Sequence, residues 1–196
     1  MAEITIENIK KLKELSGVGL TDAKKALVEA DGDFDKALNA MREKGLTKAE
    51  KRGDRETREG IVDAYIHDGR LGAIIEVNCE TSFVANTDEF KDLAHKLAMQ
   101  VASMAPLYVS EEDIPAETMK AKMEEFEANF KGPENMKEQI LSGQVKKAFS
   151  DKVLMLQPYI LDDSKTVAEF IKEMIAKTGE NITVKQFKRI ELGVTE

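Results

Sequence analysis

The sequence has few of the residues that carry covalent or metal chemistry. It contains one cysteine, two histidines and no tryptophan in 196 residues. A single cysteine excludes an internal disulfide framework and suits a reducing compartment, so we expect a cytoplasmic protein. No apolar run approaches the roughly 18 residues that a membrane-spanning helix needs. Residues 1–17 also lack the continuous apolar stretch of a secretion signal.

The charge balance is acidic, with 29 Lys+Arg against 37 Asp+Glu and a formal net charge of −8. General nucleic-acid binding usually leaves a basic footprint, so this balance argues against it and leaves protein partners open. Hydrophobic residues make up 42% of the chain, which is typical of a globular protein. The chain is long enough to bury a core without disulfide or metal staples.

Residues 1–45 are predicted to form a domain of three short helices. Thr5 caps the first helix, Thr21 opens the second and Asp33 caps the third. Apolar residues at helical spacing point inward: Ile6, Ile9, Leu12, Leu15, Ala23, Ala26, Leu27, Ala30, Phe34, Ala37, Leu38 and Met41. Helices this short are marginal alone, so we expect them to pack as a bundle.

Residues 46–59 are predicted to form a charged linker between this bundle and the rest of the chain. From residue 47 to residue 59, five side chains are basic, four are acidic and the apolar ones follow no period. Such a stretch cannot bury itself, so we expect a solvated linker or an exposed helix.

Residues 60–196 are predicted to form an α+β core with an antiparallel sheet. Two β-branched runs flank an Asp-Gly turn at 68–69 and predict a hairpin. An amphipathic helix over 87–104 and a helical hairpin within 116–150 follow. The second helix of that hairpin points Met136, Ile140, Val145 and Phe149 inward. Thr166 caps a last helix, and 181–192 is a strand, whereas 153–165 has no clear pattern.

No motif for cofactor, metal or covalent chemistry is complete. Gly17-Val18-Gly19 begins like a dinucleotide fingerprint, but Asp22 stands where the third glycine is needed. His67 and His95 have no cysteine partners that would make a metal site. Cys79 beside a histidine could act as a nucleophile, but a small buried cysteine at a strand end is the favoured interpretation. We predict no cofactor, no metal and no enzymatic activity.

Two connections carry apolar residues that folding alone does not explain. Ser16–Asp22 places Val18 and Leu20 between helices, and Glu80–Asn86 places Phe83 between a strand and a helix. An apolar loop residue is either tucked inward or offered to a partner. Position alone favours tucking.

Three long blocks, in this order, resemble bacterial elongation factor Ts, the guanine-nucleotide exchange factor for elongation factor Tu. They are IKKLKELSGVGLTDAKKAL with EADGDFDKALNAMREKG, then GAIIEVNCETSFVAN, then DDSKTVAEFIKEMIAKTGENITVKQFKRIELG. The resemblance covers essentially the whole chain and implies a ubiquitin-associated-like N-terminal domain. The length resembles the short form of the family, which implies a homodimer that bridges two Tu molecules in a two-plus-two complex. We expect the C-terminal strand, 182–192, to form the dimer interface.

The resemblance also implies how the chain contacts Tu. In the family a Thr-Asp-Phe-Val loop inserts its aromatic ring into the nucleotide-binding domain of Tu and disturbs the magnesium site. GDP then leaves, GTP can load, and no covalent catalysis is involved. The matching positions are Thr81, Ser82, Phe83 and Val84, with Ser82 in place of the family's aspartate. The matching contact positions in the N-terminal domain are Lys13, Val18, Leu20, Thr21 and Asp22.

Two other functions stay open at this point. A helical adaptor for ubiquitin-like or ribosomal partners would use only the first three helices and leave the Phe83 loop without a role. A hydrolase that depends on Cys79 would need a reactive thiol.

Overall fold

The computed structural model describes residues 4–16, 19–41, 52–130 and 136–194. Gly17, Val18, residues 42–51 and the predicted Gly132-Pro133 break lie outside the described residues, and so does the side chain of Leu15. Contacts divide the chain into two compact units. Unit one comprises the described residues of Met1–Val62 with Glu76–Ala94 and Glu169–Val184, and unit two comprises Asp63–Ile75, His95–Ala168 and Lys185–Glu196.

Three helices form the N-terminal part of unit one: α1 (Ile6–Ser16), α2 (Leu20–Glu29) and α3, described over 34–41. The hydroxyl of Thr5 accepts a hydrogen bond from the Asn8 amide at 3.1 Å, and the carboxylate of Asp33 accepts one from the Lys36 amide at 3.0 Å. Both predicted caps are confirmed. The core of these helices consists of Ile9, Leu12, Ala23, Ala26, Leu27, Ala30, Ala37 and Met41, with Phe34 and Leu38 packed against it.

Two details of this part differ from the prediction. The helix α2 begins at Leu20 rather than at Thr21, because Gly19 takes the capping position with extended backbone angles of φ −66° and ψ 152°. The Gly19 carbonyl then accepts from the Ala23 amide at 3.0 Å. Ile6 was predicted to point inward but is 72% exposed, since it lies at the first residue of α1, one turn before buried Ile9.

The remaining elements confirm the predicted α+β class. In chain order they are β1 (Glu59–His67), β2 (Leu71–Cys79), α4 (Ser82–Ala85), α5 (Asp88–Met104), α6 (Ala116–Ala128), α7 (Lys137–Phe149), β3 (Pro158–Tyr159), β4 (Asp162–Thr166), α8 (Val167–Thr178) and β5 (Ile182–Glu191). Short 3-10 turns lie at Glu111–Asp113 and Leu154–Leu156. None of the helices in the described part of the chain has the length and apolar character of a membrane span.

The main sheet has three strands in the order β1-β2-β5. The predicted hairpin joins β1 to β2, and its turn needs the positive φ angles that Asp68 (50°) and Gly69 (67°) adopt. The Arg70 amide closes this turn on the His67 carbonyl at 3.0 Å. The end of β5 returns to the start of β2, where the Leu192 amide donates to the Arg70 carbonyl at 2.8 Å. The predicted last strand is therefore confirmed, and it lies antiparallel to β2.

The helical hairpin of α6 and α7 is confirmed as a pair of helices in unit two, but its inward face needs a correction. Leu141, Val145 and Phe149 are the buried residues of α7, at a spacing of four. Met136 is 45% exposed, because the helix begins only at Lys137. The four-residue spacing of the buried positions selects Leu141 instead of the predicted Ile140, which is half-buried.

A second sheet of two short strands, β3 and β4, was not predicted. Buried Gln100 holds it to α5, because its Nε2 donates to the Pro158 carbonyl at 3.1 Å and its Oε1 accepts from the Ile160 amide at 2.8 Å. The same Nε2 donates to Gln157 Oε1 at 3.0 Å. These bonds satisfy an amide side chain that would be costly to bury alone.

Residues 52–57 of the predicted linker are hydrogen-bonded within unit one through both backbone carbonyls and side chains. Asn181 Nδ2 donates to the carbonyls of Gly53 (3.1 Å) and Arg55 (2.8 Å). Arg52 donates to the Ile175 carbonyl at 3.2 Å, and the hydroxyls of Thr57 and Thr183 lie 2.9 Å apart. The boundaries predicted at residues 45 and 59 stay predictions.

Candidate functional site

The connection after β2 is a single helical turn, α4, that presents an aromatic ring to solvent. Thr81 caps this turn with extended backbone, and its hydroxyl accepts from the Val84 amide at 3.5 Å. Phe83 is 81% exposed, whereas Val84 is 6% and Ala85 4% exposed. The position-based preference for a tucked ring is wrong: Phe83 points outward, and its neighbours Val84 and Ala85 are the residues that anchor the turn.

Two glutamates join this turn to the start of β5. The carboxylate of Glu180 accepts from both the amide (3.0 Å) and the hydroxyl (2.6 Å) of Thr81. In the opposite direction, the carboxylate of Glu80 accepts from the amide of Asn181 at 2.6 Å. Residues 80–81 and 180–181 therefore exchange side-chain-to-backbone hydrogen bonds, and bonds to charged acceptors are the strong kind.

The other end of α4 is also closed by hydrogen bonds. Asn86 Nδ2 donates to the Ser82 carbonyl at 2.7 Å, and the Thr87 hydroxyl donates to the Val84 carbonyl at 2.7 Å. The Thr87 oxygen in turn accepts from the Phe90 amide at 3.2 Å, which caps the predicted helix α5. These bonds satisfy the backbone groups that a one-turn helix leaves free at its ends.

Cys79 lies beneath this turn and is fully buried. Its Sγ donates to the Thr81 carbonyl at 3.2 Å. Burial, and then the nearby carboxylate of Glu180, raise the pKa of the thiol from 9.0 to about 11. Because the thiolate is the nucleophilic form, this environment argues against the hydrolase alternative.

The N-terminal candidate positions lie on the surface of unit one. Lys13 is exposed in the last turn of α1, and Leu20, Thr21 and Asp22 are exposed in the first turn of α2. Leu20, at 54%, is a large apolar side chain left in solvent. Val18, the fifth predicted position, lies outside the described residues.

Sequence reasoning missed Glu80 and Glu180, whose carboxylates join residues 80–81 to residues 180–181. Thr81 and Glu180 are separated by 99 positions in the chain, so no local spacing signals their contact. The histidines carry no such role: within the described ranges, no group of three or more His, Cys, Asp or Glu side chains could hold a metal ion.

The fold and the site define an α+β protein whose candidate site is a set of exposed side chains on fixed supports. A model of the family described as elongation factor TS matches residues 3–194. The chain is 52% identical over 193 residues to elongation factor Ts of Thermotoga maritima, with 97% of each chain covered. It is 45% identical over 194 residues to elongation factor Ts of Thermoanaerobacter sp. strain X514, covering 97% of this chain and 95% of the relative.

The chain therefore belongs to the elongation factor Ts family, and the resemblance noted in the sequence is confirmed. The protein acts in translation elongation, a stage of protein biosynthesis.

Proposed function

We propose that the protein binds GDP-bound elongation factor Tu in the cytoplasm and promotes release of GDP, so that GTP can load. The observation that carries the proposal is Phe83, which is 81% exposed on a turn closed by hydrogen bonds at both ends. The family's exchange loop matches Thr81–Val84, so Phe83 is the ring that enters the nucleotide-binding domain of Tu and disturbs the magnesium site.

The energetics favour an insertion of this kind. Burying a phenylalanine side chain that was exposed stabilises a complex by about 1.5–3 kcal/mol. Because α4 is already held by Glu180 and Thr87, little ordering is needed on binding. Val84 is buried in the free protein, so its part is to anchor the turn while Thr81, Ser82 and Phe83 face the partner.

Exchange of this kind works by linkage and needs no covalent step. The protein binds nucleotide-free Tu more tightly than GDP-bound Tu, and GDP weakens its binding by the same factor. The serine at position 82 brings no charge to the magnesium site. In this chain the disturbance therefore comes from the ring of Phe83.

The N-terminal surface is the second part of the proposed interface with Tu. Lys13, Leu20, Thr21 and Asp22 are exposed on α1 and α2, and the small core of these helices supports them. This surface supplies attachment, whereas Phe83 supplies the disturbance of the nucleotide site. The adaptor alternative would leave Phe83 exposed without a partner.

We also propose a homodimer, formed through one face of the main sheet within unit two. Arg189 Nε donates to the Ala102 carbonyl of α5 at 2.9 Å, and Asp63 lies 3.3 Å from His95 on the same helix. The side chains of Arg189 and Asp63 therefore point toward α5. Side chains at the alternate positions of these strands point to the opposite face of the sheet. Ile66, Ile74 and Ile190 are 72%, 47% and 76% exposed.

A second copy of the chain is the partner that fits this face. Apolar side chains on adjacent strands form a patch that water disfavours, and a symmetric pair would cover both copies of it at once. The patch includes β5, which the sequence analysis assigns to the interface. Two copies would also supply the two Tu-binding surfaces of a two-plus-two complex.

The dimer is tested by Ile190→Asp, which places a charge on the face and should yield a monomer by light scattering at micromolar concentration. The control is Leu161→Asp, at a side chain 55% exposed between β3 and β4, which should stay dimeric. A wild-type protein that is monomeric at micromolar concentration and fully active in exchange would contradict the dimer.

The function is tested by release of labelled GDP from elongation factor Tu, with and without the protein. We expect faster release of GDP and no hydrolysis by the protein itself. Unchanged release at saturating protein, with Tu shown to be active, would overturn the proposal.

A further inference from the structure

The N-cap of α4 depends on a carboxylate from a distant part of the chain. The Thr81 hydroxyl has one hydrogen, which it donates to Glu180 Oε1 at 2.6 Å, and it accepts from the Val84 amide at 3.5 Å. The other carboxylate oxygen, Oε2, takes the Thr81 amide at 3.0 Å. Glu180 therefore sets the orientation of the capping hydroxyl and also fixes the backbone that carries it.

Glu180 is itself held by the end of α8. Gly179 adopts φ +80°, a left-handed angle that favours glycine, and its amide donates to the Ile175 carbonyl at 2.9 Å. The Glu180 amide donates to the Thr178 hydroxyl at 3.3 Å. The chain therefore leaves α8 in a defined direction, with the Glu180 carboxylate aimed at Thr81.

The ring of Phe83 lies two residues beyond this contact. The Thr81 carbonyl accepts from the Ala85 amide at 3.2 Å, so a displacement of Thr81 displaces the whole turn. Val84 and Ala85 are buried on the underside, which leaves rotation or tilt of the turn as the movement that Glu180 prevents.

We propose that Glu180 is a positioning residue for nucleotide exchange, which orients Phe83 through Thr81 without contacting Tu. This inference rests on the proposed function, since it concerns how the exchange loop is presented. A loop that already has its bound geometry loses less conformational entropy on association, and it places the ring where it can act.

The matched control for Glu180 is Glu80. Its carboxylate also accepts a backbone amide across the same junction, that of Asn181 at 2.6 Å, but it does not touch the cap of α4. Glu80→Ala and Glu180→Ala each remove one carboxylate from this junction, and Glu80 also pairs with Arg55 at 3.4 Å. A purely structural role would therefore make the Glu80 variant lose at least as much nucleotide exchange as the Glu180 variant. Glu180→Gln keeps the size of the side chain and one acceptor, and it replaces the alanine variant if that one fails to fold.

The experiment measures GDP release from Tu, thermal unfolding and amide hydrogen exchange on the full-length wild type and these variants. We expect Glu180→Ala to lower the acceleration of GDP release about fivefold, which is the factor in an equilibrium constant that one net hydrogen bond contributes. We expect Glu180→Gln to recover part of that loss. The Thr81 and Val84 amides should exchange faster in Glu180→Ala only, while both alanine variants unfold at similarly lowered temperatures.

Three results would overturn the inference. The first is an equal loss of nucleotide exchange in Glu80→Ala and Glu180→Ala. The second is a wild-type rate of nucleotide exchange in Glu180→Ala, under conditions where Phe83→Ala has lost nucleotide exchange. That result would overturn this inference but not the proposed function. The third is a wild-type protein that does not accelerate GDP release, in which case the proposed function falls and this inference falls with it.

Discussion

The turn α4 and the start of α2 both leave a large apolar side chain in solvent, but they support it differently. Phe83 is 81% exposed and Leu20 is 54% exposed. The turn beneath Phe83 is capped by Thr81, and a carboxylate from another part of unit one holds that cap. The helix that begins at Leu20 follows Gly19, which has no side chain to cap it.

This difference separates two kinds of binding surface. A side chain on a support fixed by charged hydrogen bonds can enter a partner with little loss of freedom, which suits insertion. The start of α2, where the capping residue Gly19 makes no side-chain hydrogen bond, has no such second support, which suits attachment to a surface. We therefore assign disturbance of the nucleotide site to Phe83 and attachment to the region of Leu20.

The largest expected effect is that of Phe83→Ala on binding to nucleotide-free Tu. Loss of an interface anchor should weaken binding by about 2 kcal/mol or more, which is a fall in affinity of about 30-fold. Stability should barely change, because truncation of a core phenylalanine would cost about 3–5 kcal/mol and this ring is not in the core. Titration calorimetry and thermal unfolding give the two values.

The control for this variant is Leu107→Ala, which truncates a side chain 62% exposed elsewhere in the chain. It should leave the affinity for Tu unchanged. A Phe83→Ala protein that unfolds many degrees early and binds Tu normally would show that the ring belongs to the core.

A second effect concerns alkaline pH, because Cys79, the one cysteine of the chain, lies beneath α4 and its thiol can lose a proton. The pKa of Cys79 is raised from 9.0 to about 11 in the folded protein, first by burial and then by Glu180. The folded protein therefore keeps a proton that the unfolded chain releases, and this contribution to stability is lost as the pH rises from 9.0 toward about 11. Urea unfolding across that range should show a steeper loss for the wild type than for Cys79→Ala. Equal slopes of the unfolding free energy against pH would show that folding does not raise the pKa of Cys79.

A smaller effect is expected from Leu20→Ala, since a side chain that is 54% exposed contributes less on burial than a ring that is 81% exposed. We expect binding to Tu to weaken by about 1 kcal/mol. Val28→Ala is the matched control, because Val28 lies on the same helix and is also 54% exposed. Equal losses in the two variants would show that the whole of α2, and not its start, contacts the partner.

The smallest effect is expected from Ser82→Asp, which restores the family's usual residue. A negative charge at the first residue of α4 interacts favourably with the helix N-terminus, by about 0.3–1 kcal/mol at most. Exchange should stay equal or rise, because the charge would lie near the magnesium site of Tu. Ser82→Asn adds a side chain that is similar in size to aspartate but uncharged, and it should leave nucleotide exchange unchanged. Slower exchange in Ser82→Asp alone would show that the charge opposes binding.

Local sequence signals were enough for most of the fold. The caps at Thr5 and Asp33, the Asp68-Gly69 turn and the amphipathic helix α5 follow from short-range rules, and the structure confirms them. The strands β3 and β4 were missed because they are short. The four residues from Asp162 to Lys165 are polar, so no alternation of apolar residues reveals β4.

The candidate site was less predictable for a physical reason. A turn of four residues is too short for a period, so the pattern could not tell that Phe83 is exposed while Val84 is buried. The family resemblance named Phe83, but the support for its ring comes from Glu180, 99 positions beyond Thr81. Contacts of that kind depend on tertiary packing and leave no mark in local sequence.

The most direct test of the central assignment is the rate of GDP release from elongation factor Tu at saturating concentrations of Phe83→Ala and of Leu20→Ala. If Phe83 disturbs the nucleotide site, its variant should stay well below the wild-type rate even when all Tu is bound. The Leu20 variant should need more protein but reach the wild-type rate, because it has lost attachment only. A Phe83→Ala protein that reaches the wild-type rate at saturation would contradict the account.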